Sequence, residues 1–360
     1  MPLFFTHHQQ AGRMQRRQGL TLIELLTVIA VLAILLSVAI PVIRPALKDR
    51  KLRESSRLLS AYCAGVQARA AALGRPVGIV LVRSNNSVAG IPNSRDLYQC
   101  TEVLTAEIPQ PYSGDVIDAK ATVSHDPDAG GANGWTVNFA GNAFFDTIIL
   151  PGEHFLLRLD YKNPLYQCQR TGNQTARIVP NASLNLAGPP WQHINSNHGP
   201  KRPVPFQIYR SPTRSAASPL QLPRGMAIDL SVSGIGFKGN QFNPDSQLGP
   251  GNITIMFSPN GSVDSIYVGN QALPQTTKVY LLIGRVNQIN PVNPFQTDIG
   301  GNQQANLRDP SSIWFSISPK TGQIRNSLNR TDLIGNPADP GTGIELARKD
   351  AIDSIGVGGR

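Results

Sequence analysis

The sequence predicts an α+β protein in which one long amino-terminal helix precedes a large β-rich body. Three observations indicate this class: an apolar run begins near residue 20, an amphipathic pattern continues it to about residue 73, and short β-rich runs separated by turns fill most of the rest. Charged residues make up only 16%, and the 33 glycines and 29 prolines suit short strands joined by loops rather than a helical bundle.

The apolar run contains one ionisable residue, Glu24, close to its start. The uncharged stretch from Leu25 to Ile43 would rise about 28 Å as a helix, close to the roughly 30 Å of a bilayer's hydrocarbon. The sequence therefore predicts a transmembrane segment over 20–43. A charge inside such a segment is disfavoured by about 2.5–3.5 kcal/mol, so the glutamate predicts a function that needs a partner.

The helix is expected to continue beyond the apolar run. Apolar residues at intervals of three and four form a stripe that would pack on the body: Leu52, Leu59, Tyr62, Cys63, Val66, Ala70 and Leu73. Pro41 and Pro45 are expected to kink the helix, whereas Gly74 suits a left-handed stop and Pro76 forbids continuation. One long helix is therefore predicted over 20–74.

The residues at the head of the run carry a family resemblance. Gly19, followed by Leu20-Thr21-Leu22-Ile23-Glu24 and preceded by arginines, resembles the prepilin-type leader of type IV pilins and type II secretion pseudopilins. The resemblance implies that residues 1–19 are a leader, that a prepilin peptidase cleaves after Gly19, and that Leu20 is then N-methylated. It also implies that Glu24 pairs with the new amine of a neighbouring subunit, and that Pro41 matches a frequent proline of the family.

Electrostatics supports this assignment independently. A carboxylate and an amine are each costly when unpaired in hydrocarbon and cost much less when paired, and removal of the leader creates the amine that Glu24 needs. A secretory signal cleaved near Ser37-Val38-Ala39 and a plain single-pass anchor explain the apolar run but not its glutamate. A twin-arginine signal at Arg16-Arg17 fits the residues that follow it poorly.

The start of the body resembles minor pseudopilins of the general secretion protein H type and the related fimbrial T type. The turn Gly74-Arg75-Pro76 and the β-rich run Val77–Val82 follow that plan, which implies an antiparallel sheet. Further strands are predicted over 220–237, 253–268, 278–286 and 312–326, with turns at Asn260-Gly261 and Lys320-Thr321-Gly322. The predicted architecture is pilin-like: a long transmembrane and amphipathic helix packed on an antiparallel β-sheet domain over 75–327.

A segment over 85–219 separates these blocks and is lacking in the family's small domains. It is predicted as a large β-rich insertion that enlarges the sheet or forms a second lobe. Its candidate strands are Leu97–Leu104, Trp135–Phe139, Phe144–Leu150, His154–Leu159 and Ala176–Val179. Residues 328–360 are predicted as a tail with a short helix over 343–356.

The cysteines and the net charge bear on other functions. Cys63 lies in the apolar stripe and is expected to be buried. Cys100 and Cys168 form a possible disulfide, and three unpaired thiols are the alternative. The net charge of +10 favours anionic headgroups beside the membrane, and DNA binding is not expected, because no arginine–aromatic motif is present.

Motifs for catalysis or metal binding are not evident in the sequence. Asp126–Gly130 is faintly like a calcium loop, but Pro127 interrupts it and Val137 replaces the bidentate glutamate. Neither GxSxG nor a P-loop occurs. The scattered histidines, which lack ligand spacing, are His125, His154, His193 and His198. The sequence therefore predicts no enzyme, no cofactor and no metal.

The resemblance implies a structural assembly protein, a minor pilin or pseudopilin. It would be held in the bacterial inner membrane by a single pass, with its body in the periplasm, and then enter a filament. More basic residues follow the apolar run than precede it, which opposes this orientation, and translocation of the large body is expected to override the bias.

The implied partners are the prepilin peptidase and N-methyltransferase, other pilins or pseudopilins through the amino-terminal helix, the inner-membrane assembly platform, and a secreted substrate. The alternative function is a binding module at a filament tip, either an adhesin or a DNA-uptake subunit, that uses the inserted segment and the positive charge.

Overall fold

The computed structural model describes residues 21–84, 95–125, 135–142, 144–179, 203–269, 271–273, 276–300, 303–334 and 340–353. Side chains within 38–48 and at a few element ends lie outside this description. The chain divides into two compact units, residues 1–50 and residues 51–360.

The predicted long helix is confirmed from residue 22 onward. Helix α1 spans Leu22–Leu73 and is assigned continuously through Pro41 and Pro45. Gly74 ends it with φ of +64°, in the left-handed region where glycine lacks the steric cost of a Cβ. Leu73, predicted to be part of the buried stripe, is 45% exposed at this last turn.

The described strands fall into two sheets. In chain order they are β1 Val77–Arg83, β2 Gln99–Glu107, β3 Thr122–His125, β4 Trp135–Asn138, β5 His154–Leu159, β6 Lys162–Arg170, β7 Thr175–Ile178, β8 Phe206–Tyr209, β9 Thr213–Arg214, β10 Leu220–Gln221, β11 Met226–Ile235, β12 Ile253–Phe257, β13 Val263–Val268, β14 Gln271–Leu273, β15 Val279–Arg285, β16 Ile313–Ile317 and β17 Ile324–Leu328. Short 3-10 turns occur at Arg95–Tyr98, Val286–Gln288, Asn306–Arg308 and Thr331–Leu333.

The first sheet is antiparallel and has the order β14-β13-β12-β1-β2-β11-β15-β16-β17, with β9 and β10 also paired to β2. The predicted hairpins form: β12 pairs β13 and β16 pairs β17. Gly261 and Gly322 supply positive φ in their connections. These pairings confirm the predicted antiparallel sheet.

The central strands of the first sheet are buried on both faces. Two successive residues of β15 show this. Leu281 belongs to the core on one face of the sheet, and Leu282 belongs to the core on the other face. The first core includes the α1 residues Leu52, Leu59, Cys63, Val66 and Ala70. The other is covered by helix α3, Pro340–Asp353, through Ala347 and Ala351. The terminal helix, predicted over 343–356, spans 340–353 in the structure and packs on the sheet.

Polar contacts join the second half of α1 to separate parts of the sheet. The hydroxyl of Tyr62 lies 2.9 Å from Thr105 Oγ1 on β2. Gln67 Nε2 donates to the carbonyl of Gly322, in the turn between β16 and β17, at 2.8 Å. Helix residues after 51 are thus fixed both at the centre of the sheet and near one edge.

An acidic residue at the end of β2 links the helix to the sheet. Glu107 accepts from Ser215 Oγ at 2.8 Å and pairs with Arg69 and Arg75, each at 2.7 Å. The Ser215 hydrogen bond and the two guanidinium groups lower the pKa of Glu107 below its ordinary value of 4.5. A carboxyl with a lowered folded-state pKa contributes stability above its unfolded-state pKa, and this contribution is lost as pH falls through the folded-state value.

Glu107→Gln should lower the free energy of unfolding near pH 7 by about 0.5–1 kcal/mol, because both arginines are partly exposed and solvent screens the pairs. The deficit should disappear as pH falls below the ordinary value of 4.5 and through the lowered folded-state pKa, because the wild-type carboxylate then protonates. Urea unfolding of the full chain in detergent at several pH values measures this. Glu54→Gln, an exposed acid on α1, is the control, and a deficit independent of pH would contradict the expectation.

The inserted segment forms a second sheet with the order β3-β4-β7-β6-β5-β8. Its ends are joined, because Ala121 beside β3 exchanges two backbone hydrogen bonds with Val204 beside β8, at 2.8 and 2.9 Å. The sheet therefore closes on itself around its own core, which includes Phe139, Phe155 and Phe206. Of the two predicted forms of the insertion, a second lobe is the one observed.

The lobe is narrower than the predicted range of 85–219. Strand β2 lies at the centre of the first sheet, and β9 and β10 pair with it. The chain leaves the first sheet after Glu107 and re-enters it at Thr213, and these two residues pair with each other. In chain order, the second sheet is thus inserted between two residues that are paired in the first sheet.

The predicted strand over Phe144–Leu150 is wrong. Residues Phe145–Ile148 form the short helix α2. Phe145 and Ile149 are buried whereas Phe144 and Leu150 are exposed, which is a spacing of four rather than two. Phe145 stacks on Phe139 with ring centroids 4.5 Å apart, so this apolar run contributes to the core of the lobe rather than to its sheet.

Helix α3 carries a fully buried cation, Arg348. Its guanidinium donates to the carbonyls of Val232, Gly236 and Gly239 at 2.6–2.7 Å, and to that of Phe237 at 3.3 Å. It also lies over the rings of two aromatic residues of the sheet, Tyr280 and Trp314. Burial lowers the pKa of Arg348 to about 9, which still leaves it charged at neutral pH.

Candidate assembly site on the amino-terminal helix

The first turn of α1 is organised around Glu24. Its carboxylate accepts the backbone N–H and the hydroxyl of Thr21, both at 3.0 Å, while the N–H of Glu24 donates to Thr21 Oγ1 at 3.3 Å. This reciprocal arrangement is a capping box, which satisfies backbone donors that lack helical partners. Thr21 is not among the predicted site residues, although the spacing Thr-x-x-Glu before an apolar run indicates a capping box.

Residues after this turn present apolar side chains on every side of the helix. The large apolar side chains that are 51–83% exposed are Leu22, Ile23, Leu25, Leu26, Val28, Ile29, Val31, Leu32, Ile34, Leu35 and Leu36. A helix that is apolar all round is stable only when it is covered, either by protein or by hydrocarbon. In the described part of the chain, Thr21 is the only hydrogen-bond partner of the Glu24 carboxylate.

The other predicted site residues lie partly outside the described residues. Gly19 and Leu20 precede residue 21, so the predicted cleavage junction and methylation site are not described. Pro41 is helical in its backbone, and its side chain is not described. Among the predicted processing and assembly residues, Glu24 is thus the one whose side-chain surroundings the structure describes.

Within the ranges described, no helix combines the length and hydropathy that a membrane crossing needs. The predicted transmembrane segment over 20–43 is therefore not confirmed.

Comparison with known families bears on the same segment. Residues 14–40 match the prokaryotic N-terminal methylation motif. The chain therefore carries a type IV pilin-type leader, and the matched motif includes Gly19, Leu20 and Glu24. The match does not extend into the body. No curated protein and no solved structure matches the chain.

The possible disulfide between Cys100 and Cys168 is not formed. Both residues are free thiols with 0% exposure. Cys100, on β2, belongs to the core between α1 and the first sheet, whereas Cys168, on β6, belongs to the core of the second sheet. Cys63 is buried as expected. Desolvation raises the pKa of Cys63 and of Cys100 to about 12, so these thiols stay protonated and unreactive.

The structure describes only part of the scattered histidines and acids. The candidate calcium loop Asp126–Gly130 and the pair His193 and His198 lie outside the described residues, as does the side chain of His125. Within the described ranges, no three His, Cys, Asp or Glu side chains are grouped as metal ligands would be. The amino-terminal helix therefore remains the candidate functional site.

Proposed function

We propose that this chain is a pilin-like assembly subunit, a minor pilin or pseudopilin of a type IV pilus or type II secretion pseudopilus. A prepilin peptidase removes residues 1–19 and the new amino terminus at Leu20 is methylated. The amino-terminal helix holds the subunit in the inner membrane, with the body in the periplasm, until the assembly platform adds it to a filament.

The observation that carries this proposal is the combination of the matched leader with an apolar helix that has one carboxylate at its head. Apolar side chains exposed on all sides of residues 22–36 need neighbouring helices or lipid to cover them. Among such neighbours, a carboxylate without a counter-ion would be costly, and a cleaved and protonated amino terminus supplies that counter-ion. The pair would set the axial register of one subunit against the next.

The chemistry at the leader junction can be tested directly. Intact-mass measurement and amino-terminal sequencing of the membrane-extracted protein should find a chain that starts at N-methylated Leu20. Gly19→Val should keep residues 1–19 attached, because a branched side chain at the junction is harder to fit in an extended protease cleft than glycine.

Leu3→Val, inside the leader but away from the junction, is the control for this substitution and should be processed normally. A native chain that retains Met1 while it functions, or one that starts at Ile40, would contradict the proposal. Cleavage near Ile40 would indicate an ordinary secretory signal instead.

A second candidate function is a binding module displayed at a filament tip. The observation that favours it is the second sheet, which has its own closed core and is not needed to complete the first sheet. Retention of the detergent-solubilised chain on DNA that falls steeply with salt would support a DNA-uptake role, whereas retention that is flat across salt would count against it.

A further inference from the structure

One end of the second lobe displays apolar side chains. Val116 is 63%, Ile117 103% and Phe144 63% exposed. The two segments that carry them are adjacent, because Asp115, directly before Val116, accepts the N–H of Phe144 at 3.1 Å. We call Val116, Ile117 and Phe144 the lobe patch. Clustered exposed apolar residues in a folded protein commonly mark an interaction surface.

The lobe patch is held in place by its own hydrogen bonds. Asp115 accepts from the hydroxyl of Tyr112 as well as from Phe144, and its N–H donates to Asn142 Oδ1 at 3.2 Å. The N–H of Ala119 closes a turn on the carbonyl of Val116 at 3.0 Å. A surface that is already ordered loses less conformational entropy on binding, which favours a specific partner.

The two segments that carry the lobe patch are acidic although the chain is basic. Residues 112–120 and 144–153 contain four carboxylates and one lysine, against a net charge of +10 for the whole chain. Asp118 and Asp146 are exposed there. The net negative charge of these segments disfavours anionic lipid and nucleic acid as partners. It favours a partner surface that carries both cationic and apolar side chains.

Such a surface exists on the outer face of α1. Arg53 and Arg57 are exposed and four residues apart, and Leu58 beside them is 37% exposed. Residues 50–57 carry four basic side chains and one acidic one, Glu54, so this part of α1 remains net positive and attracts an acidic partner. The face therefore complements the lobe patch in both charge and polarity.

We infer that the lobe patch binds the Arg53, Arg57 and Leu58 face of α1 in a second copy of this chain. Because two different surfaces meet, the contact is heterologous and can repeat along an open filament. The inference rests on the proposed function of filament assembly and adds a contact between bodies that does not involve Glu24. A minor subunit can make such a contact wherever two copies are adjacent.

Cross-linking between two differently tagged copies tests this contact. One full-length copy carries Ile117→Cys and the other Ala61→Cys, at an exposed position one helical turn beyond Arg57, and membranes are treated with a short bismaleimide. The three native cysteines are fully buried and do not compete. The matched control replaces Ile117→Cys with Val292→Cys, because Val292 is 91% exposed in the loop between β15 and β16.

The cross-linked heterodimer should form at least about tenfold more with the cysteine at 117 than with the control. Adding Asp118→Arg to the first copy should reduce the yield, and Arg53→Glu in the second copy should restore it. Equal yields at 117 and 292, or the same yields in all charge variants, would overturn the inference.

The experiment separates failure of this contact from failure of the proposed function. Processed chains that enter filaments but do not cross-link at 117 would refute the contact alone. Cross-linking at 117 in cells where every chain keeps its leader and none enters filaments would support the contact and refute the proposed function.

Discussion

Glu24→Ala should give a chain that is cleaved and methylated but is not incorporated into filaments. In the proposed filament, the substitution would leave the amino terminus of the neighbouring subunit without a counter-ion in an apolar environment, which typically costs about 3–5 kcal/mol. A loss of about 3 kcal/mol corresponds to roughly 100-fold less incorporation per subunit. The measurement is the fraction of chain recovered in sheared filaments, with the amino terminus of the membrane-bound chain sequenced in parallel.

Two further variants separate the charge of Glu24 from its role in the capping box. Glu24→Gln removes the charge while glutamine can still complete a capping box, so it should assemble as poorly as the alanine variant. Thr21→Ala breaks the capping box and keeps the charge, so it should assemble and lose only about 1 kcal/mol of helix stability. If Glu24→Gln assembled normally, the carboxylate would serve helix capping, and the proposed intersubunit pair would be wrong.

Arg348→Met should lower the free energy of unfolding by about 3 kcal/mol or more. Methionine keeps apolar packing against Tyr280 and Trp314 but leaves the buried carbonyl of Val232 and the half-buried carbonyls of Gly236 and Gly239 without their donor. Each buried acceptor left unsatisfied costs about 1–3 kcal/mol. Urea unfolding of the full chain in detergent, followed by circular dichroism, measures the loss.

Lys349→Met is the matched control for Arg348→Met. Lys349 is the next residue on α3, its side chain is half exposed, and it pairs with Glu345 at 2.7 Å. Its loss should cost under about 1 kcal/mol. Arg348→Lys should be nearly as harmful as the methionine variant, because one ammonium cannot reach carbonyls on both sides of the planar guanidinium. Equal stabilities of the Arg348→Met and Lys349→Met variants would show that the buried cation contributes little.

Local patterns were sufficient to predict the helix and the hairpins of the first sheet. Apolar residues three and four apart after residue 50, and the helix stop at Gly74, are patterns among residues close together in sequence. The long helix could therefore be predicted from the sequence alone. The run Phe144–Leu150 could not, because its conformation is decided by a core that forms between distant strands. The same holds for Cys100, which faces a different core from Cys168.

The candidate site shows a similar division. Glu24 stood out because one charge interrupts a long apolar run, which needs no knowledge of tertiary structure. The lobe patch and Arg348 gave no such signal. Ile117 becomes conspicuous only when its full exposure is known, and an arginine in an amphipathic helix is usually solvated rather than fully buried.

The pairing of Glu107 with Thr213 has an evolutionary and engineering consequence. The chain leaves β2 at Glu107 and returns in β9 at its pairing partner Thr213. The segment between them is therefore topologically equivalent to a hairpin loop. Loops of that kind can be lengthened, exchanged or shortened at little entropic cost to the framework that supports them. The first sheet can thus stay constant while the inserted lobe changes in length or sequence.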